Sequence, residues 1–194
     1  MAERLAARTA LADASPRALG APGAVTVALM AARGMLDVRL DPQAPGACER
    51  AREALGIALP LRPNTRSAHD GRAALWLGPD EWLIVVPDGE EAAVSVQLSE
   101  ALAGMHCAVT DVSDLRAAFE VKGARARDLL AKGCAVDLHP RAFRPGELAL
   151  TALARVRVII CQTAQDPSYE ILVERSYAEY LWHWLEDAVT EFGV

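Results

Sequence analysis

The stretch from Thr110 to Phe143, TDVSDLRAAFEVKGARARDLLAKGCAVDLHPRAF, constrains the fold of this chain more than any other. From Arg116 to Lys122 the side chains alternate, with Ala117, Phe119 and Val121 on one face and Arg116, Ala118, Glu120 and Lys122 on the other, which is the period of a half-buried strand. Gly123 breaks the alternation and stands where an N-cap is needed. Ala126, Leu129, Leu130 and Cys134 then recur near helical spacing, with Gly133 placed to stop a helix. Residues 136–138 are extended again, and His139-Pro140 and Arg144-Pro145-Gly146 punctuate the end. The unit is strand, helix, strand.

The flanking sequence follows the same grammar. Residues 25–30 and 35–40 alternate around Arg33-Gly34 and predict two strands of a hairpin. Residues 47–55 carry a stripe of Ala47, Ala51, Ala54 and Leu55 stopped by Gly56, a short helix, and residues 57–59 are briefly extended. After a polar connector at 62–72, runs at 73–77 and 82–86 flank Gly78-Pro79-Asp80-Glu81 and predict a second hairpin. Residues 90–103 begin with acidic side chains, put Val94, Leu98, Ala101 and Leu102 on one face and end at Gly104, a helix. The second half repeats the order, with a strand at 117–121, a helix at 124–132, strands at 148–153, 156–161 and 169–173, and a last helix from Tyr177. That helix has a capping box, Ser176 with Glu179, and a stripe of Tyr177, Leu181, Trp184, Leu185, Ala188 and Phe192 opposite Trp182, His183, Glu186 and Asp187. The expectation is an α+β fold of duplicated β-α-β-β-α halves, residues 23–104 and 105–194, packed as one compact domain behind an N-terminal arm, residues 1–22.

A chain of 194 residues buries roughly 70% of its unfolded surface and needs no covalent staples. Its cysteines, Cys48, Cys107, Cys134 and Cys161, lie far apart with no CxxC pair, which predicts neither a zinc site nor a disulfide framework and points to a reducing, cytoplasmic setting. The net charge of −6 is spread along the chain and offers no groove for nucleic acid. The longest apolar run near the N-terminus, residues 25–32, is too short to span a bilayer. Only Lys122 and Lys132 of the twenty basic residues are lysines, and arginine is the cation suited to forked interface contacts.

The candidates for chemistry are few. Asp111-Val112-Ser113-Asp114 places carboxylates beside a hydroxyl, but no GxSxG elbow surrounds Ser113, and Asx and Ser turns at strand starts account for the pattern. Cys134 with His139 has no third member to orient it, and His106 and Cys107 point to opposite faces of a strand. His69, His106, His139 and His183 are isolated, so no metal is predicted. GxGxxG and the Walker pattern are absent. No catalytic, cofactor-binding or metal-ligating residue is therefore assigned. One loop remains, where Arg141, Phe143 and Arg144 stand on a proline-stiffened segment. Two readings stay open for it: a docking loop for another chain, or an exposed loop whose Phe143 is tucked into its own core.

Three segments in order, LGPDEWLIV from Leu77, DVSDLRAAFEVKGARARDLLAKGCAVDLHPRAFRPGE, and ILVERSYAEYLWHWL from Ile171, resemble the gamma-subunit family of heterotetrameric sarcosine oxidases. The resemblance covers residues 75–194. It implies a fold similar to the folate-binding domain of the glycine-cleavage aminomethyltransferases. It also implies a place in a complex that oxidatively demethylates sarcosine to glycine with O2 and, with tetrahydrofolate, yields methylenetetrahydrofolate. FAD, FMN, NAD and tetrahydrofolate are then expected on the alpha and beta chains and zinc on the delta chain, with the gamma chain lacking an active site. The competing expectation is a free-standing tetrahydrofolate-binding or one-carbon-transfer protein on the same fold.

Overall fold

A computed structural model describes Leu11, residues 18–21 and residues 23–192. The remainder of the N-terminal arm lies outside the described residues. Within the arm, β1 (Ala18–Ala21) is a strand rather than an unpaired tail, and the Leu11 side chain is buried.

The architecture is α+β, with two antiparallel sheets stacked between two layers of helices. The first sheet is built from β3 (Arg33–Leu40), β4 (Arg66–His69), β5 (Arg72–Gly78), β6 (Glu81–Pro87) and β7 (Cys107–Asp111), in the order β4-β5-β6-β3-β7. The second holds β1, β2 (Val25–Leu29), β8 (Arg116–Lys122), β9 (Leu148–Leu153), β10 (Val156–Ala164) and β11 (Ser168–Glu174), in the order β1-β2-β8-β11-β10-β9. Helices α1 (Ala47–Leu55) and α2 (Glu91–Ala101) belong with the first sheet, and α3 (Ala126–Ala131) and α4 (Ala178–Val189) with the second.

Strand alternation sorts side chains into three cores. On β6, Trp82, Ile84 and Val86 face α1 and α2, together with Leu55, Val94 and Leu98. On β8 and β11, Phe119, Val121, Tyr169, Ile171 and Val173 face α3 and α4. The opposite faces meet in a third core between the sheets, where Met35, Leu75, Leu83 and Val85 pack on Ala118, Leu148, Ile159 and Leu172. Strands covered on both faces read as continuous apolar runs, which is why Trp82-Leu83-Ile84-Val85-Val86 is buried throughout. The Trp82 indole N–H, deep in its core, is satisfied by the Pro60 carbonyl at 2.8 Å.

The predicted hairpin of β2 with β3 does not form. β2 pairs with β8, Val27 opposite Val121, while β3 pairs with β6 and β7 in the other sheet. Alternation identifies a strand but not its neighbour: Val25 and Val27 of β2 are buried in the core with α3 and α4, whereas Leu36, Val38 and Leu40 of β3 are buried in the core with α1 and α2. The order strand, strand, helix, three strands, helix occurs twice along the chain, β2 to α2 and β7 to α4. In each run the first strand joins the sheet of the other run. The sheet boundary therefore does not follow the division at residues 104 and 105.

Several local expectations shift. Helix α1 spans residues 47–55 as read, and Gly56 closes it in the left-handed region at φ 73, its N–H bonded to the Arg52 carbonyl at 2.9 Å. Since an added Cβ there would meet nothing within 4 Å, Gly56→Ala isolates conformational strain, and a loss of about 1–2 kcal/mol is expected in urea unfolding. Gly123 is not an N-cap; α3 begins three residues later, and at φ 122 a Cβ on Gly123 would lie 2.4 Å from the Ala24 carbonyl oxygen. The Ser176/Glu179 capping box is not made, because a 3-10 turn at Arg175–Tyr177 precedes α4 and its N-cap position is Tyr177. Helix α4 is also turned from the expected stripe. Trp182 is buried and stacks on Phe119 with centroids 5.9 Å apart, Trp184 is half-buried, and Tyr177 is exposed.

Candidate functional site

The sequence candidates resolve into structural roles. The Asp111 carboxylate accepts the Ser113 N–H at 3.0 Å and its hydroxyl at 2.5 Å, an Asx turn. The same hydroxyl oxygen accepts the Met35 N–H at 3.0 Å, so this turn finishes the β3–β7 ladder. Asp114 accepts the Arg175 guanidinium at 3.1 Å.

His139 presents Nδ1 to the Arg141 backbone N–H at 3.2 Å. Burial pushes the Cys134 thiol up, with a backbone contact at Val136 opposing it, so the thiolate needed for nucleophilic work is disfavoured. Cys161 is pushed up to about 12 by full burial and then by Glu170, against the pull of Arg66 and Arg33. Among the described residues there is no group of three or more His, Cys, Asp or Glu placed to hold a metal ion.

The 139–144 loop takes the inward form for its aromatic. Phe143 is 4% exposed and stacks on Tyr169, ring centroids 6.5 Å apart. Phe143 is thereby withdrawn as a surface anchor, while Arg141 and Arg144 remain exposed.

Two clefts open where the sheets diverge. One, about 580 Å³, has an apolar floor of Leu77, Leu150, Ile159 and Leu172 with Arg116 and Arg157 beside it. Burial lowers the proton affinity of Arg116, opposed by Asp37, Glu174 and Glu81. Glu81 is raised by burial and then by Asp37, against the guanidinium of Arg39 at 2.6 Å. The other cleft, about 370 Å³, sets Arg66, Glu120, Gln162 and Glu170 among Met30, Ala68 and Tyr169.

Glu170, 7% exposed, pairs across the sheets with Arg33, and Glu120 lies directly opposite it on β8, itself 2.8 Å from Lys122. None of these residues was singled out by the sequence. Their signal is Glu170 inside the apolar Tyr169-Glu170-Ile171-Leu172-Val173 run, since a carboxylate in a strand buried on both faces requires a partner. Both clefts present separate charged side chains.

Comparison with known proteins extends these observations. A family described as sarcosine oxidase, gamma subunit family (SoxG), matches residues 39–191. A sarcosine oxidase subunit gamma from an Arthrobacter species is 37% identical over 172 residues, covering 88% of this chain and 83% of that protein. A chain of the heterotetrameric sarcosine oxidase from Corynebacterium sp. U-96, solved in complex with pyrrole 2-carboxylate, superposes with a TM-score of 0.86 and 31% identity over 97% of both chains. The glycine cleavage system aminomethyltransferase T from Bartonella henselae shares the fold, with a TM-score of 0.60 and 15% identity over 82% of this chain and 44% of that one. The similarity thus begins well before residue 75, where the sequence motifs first show it.

Proposed function

This chain belongs to the sarcosine oxidase gamma subunit family, and from that premise we propose that it is the gamma subunit of a heterotetrameric sarcosine oxidase. In this reading it gives shape to the assembly and contributes no reacting group of its own. The observation that carries the proposal is the superposition, over 97% of both chains, on one chain of such an enzyme. The partners are then the alpha, beta and delta chains. FAD, FMN, NAD and tetrahydrofolate belong with alpha and beta and zinc with delta, and the complex oxidatively demethylates sarcosine to glycine with O2. Burial raises the Cys134 and Cys161 thiols, which disfavours a nucleophilic role for either.

Co-expression with the alpha, beta and delta chains tests the role. The chain is expected to co-purify, and its omission to lower the yield of assembled, active enzyme. A chain that never enters the assembly, or whose omission changes neither yield nor turnover, overturns the reading. Heat on titrating tetrahydrofolate into the isolated chain would instead favour a free-standing folate protein.

The exposed pair Arg141 and Arg144 is proposed as part of the interface. Arg141→Ala and Arg144→Ala are expected to leave the isolated chain folded and to weaken assembly by about 1 kcal/mol or more each, as measured by competition pull-down. Phe143→Ala, by contrast, acts on the chain's own stability.

A further inference from the structure

We infer that the smaller cleft between the sheets binds a small zwitterion of the amino-acid class, its carboxylate held by Arg66 and its ammonium by Gln162 Oε1 and the Glu120–Glu170 pair. The site stands on the geometry of this chain alone, whatever assembly it enters.

Gln162 is 1% exposed. Its Nε2 donates to the Ala164 carbonyl at 3.0 Å, and its Oε1, though buried, accepts nothing among the described residues. Arg66 Nε is likewise buried without an acceptor, and among the described residues its guanidinium has no carboxylate partner within ion-pair distance. Gln162 and Arg66 both line this cleft, and each carries a buried polar atom with no partner among the described residues. Each such group is costly to bury unless something fills it.

A water molecule answers the hydrogen-bonding deficit of both atoms but not the charge on Arg66. A carboxylate answers that charge and suits a guanidinium. The acidic side has its own need. Glu120 and Glu170 are cross-strand neighbours on the face turned to the other sheet, a like-charge arrangement that Lys122 and Arg33 each relieve from one side only. An ammonium between these carboxylates and Gln162 Oε1 completes the relief. One anionic group and one cationic group must therefore be carried by a single molecule. A volume of about 370 Å³ lies near the lower end for ligand sites, which limits that molecule to a small one.

The test is titration of the full-length chain, followed by backbone amide NMR, with glycine, acetate and methylammonium as separate probes. Glycine is expected to produce saturable shifts at Arg66, Gly146 and Gln162, with a dissociation constant at least tenfold below that of acetate or methylammonium. Arg66→Gln and Gln162→Ala are expected to weaken glycine at least tenfold while the remaining spectrum keeps its dispersion. Should either variant fail to fold, Glu120→Gln, at a more exposed position, carries the same expectation. Acetate binding as tightly as glycine would reduce the cleft to an anion site and overturn the inference. So would shifts confined to other residues, or no saturable shift by about 50 mM glycine, far weaker than a millimolar site.

Discussion

Expressed separately, residues 1–104 and residues 105–194 are each expected to stay unfolded, giving no cooperative thermal transition and a collapsed amide NMR spectrum. The reason is topological. The N-terminal piece keeps β1 and β2 but loses β8, which joins them to the rest of their sheet, and its own sheet loses the edge strand β7. The C-terminal piece loses β1 and β2 from a six-stranded sheet. Both pieces also bare the core between the sheets, where full burial of residues such as Leu75, Leu83, Leu148 and Leu172 is worth about 1.5–3 kcal/mol each. Several such losses exceed the roughly 5–15 kcal/mol that holds an ordinary domain together. Mixing the two pieces is expected to restore the native spectrum. A sigmoidal melt from either piece alone would show that the exchanged strands are dispensable.

The second large effect is expected at Arg33, whose substitution by Ala should destabilise the chain by about 3–5 kcal/mol in urea unfolding. Arg33 reaches from the first sheet to Glu170 on the second, and their side chains are only 20% and 9% exposed. Removing the guanidinium leaves a desolvated carboxylate facing Glu120 across the strands. The cost belongs to the abandoned charge rather than to the pair, so Arg33→Met with Glu170→Leu should return to within about 1 kcal/mol of the starting stability. A loss below about 1 kcal/mol for Arg33→Ala would mean that Glu170 is solvated well enough to stand alone.

Elements that organise themselves locally were legible in the sequence. Helix α1, the β5–β6 hairpin, and the β9 to β11 run lie close to where period and punctuation put them, because each is set by neighbours a few residues away. The short strands β1 and β4 were not read, and β7 entered only as the strand carrying Cys107, without bounds. β4, Arg66-Ser67-Ala68-His69, has too few apolar side chains to show a period, and its place depends on pairing with β5. The partner of β2 was equally hidden, since Val25, Val27 and Leu29 fit against any apolar sheet face, and the choice of β8 is made by the whole stack. On α4, Trp182 and Trp184 are two positions apart and equally apolar. It is Trp182 that stacks on Phe119, a contact that local spacing does not show. The smaller cleft was invisible for the same reason: Arg66, Glu120, Gln162 and Glu170 come from four strands and meet only once both sheets are built.

The exchange of first strands also sets a clock on biosynthesis. Thr26 of β2 and Lys122 of β8 are 96 residues apart in the chain, and at about 5–20 residues per second a ribosome takes on the order of 5–20 s to deliver the second after the first. During that interval β2 has only β1 as a native neighbour, and the edge that pairs with β8 stays open. Shielding of that open edge by a chaperone or by the ribosome surface is expected to raise the folded yield, and slow codons between the two strands to lower it.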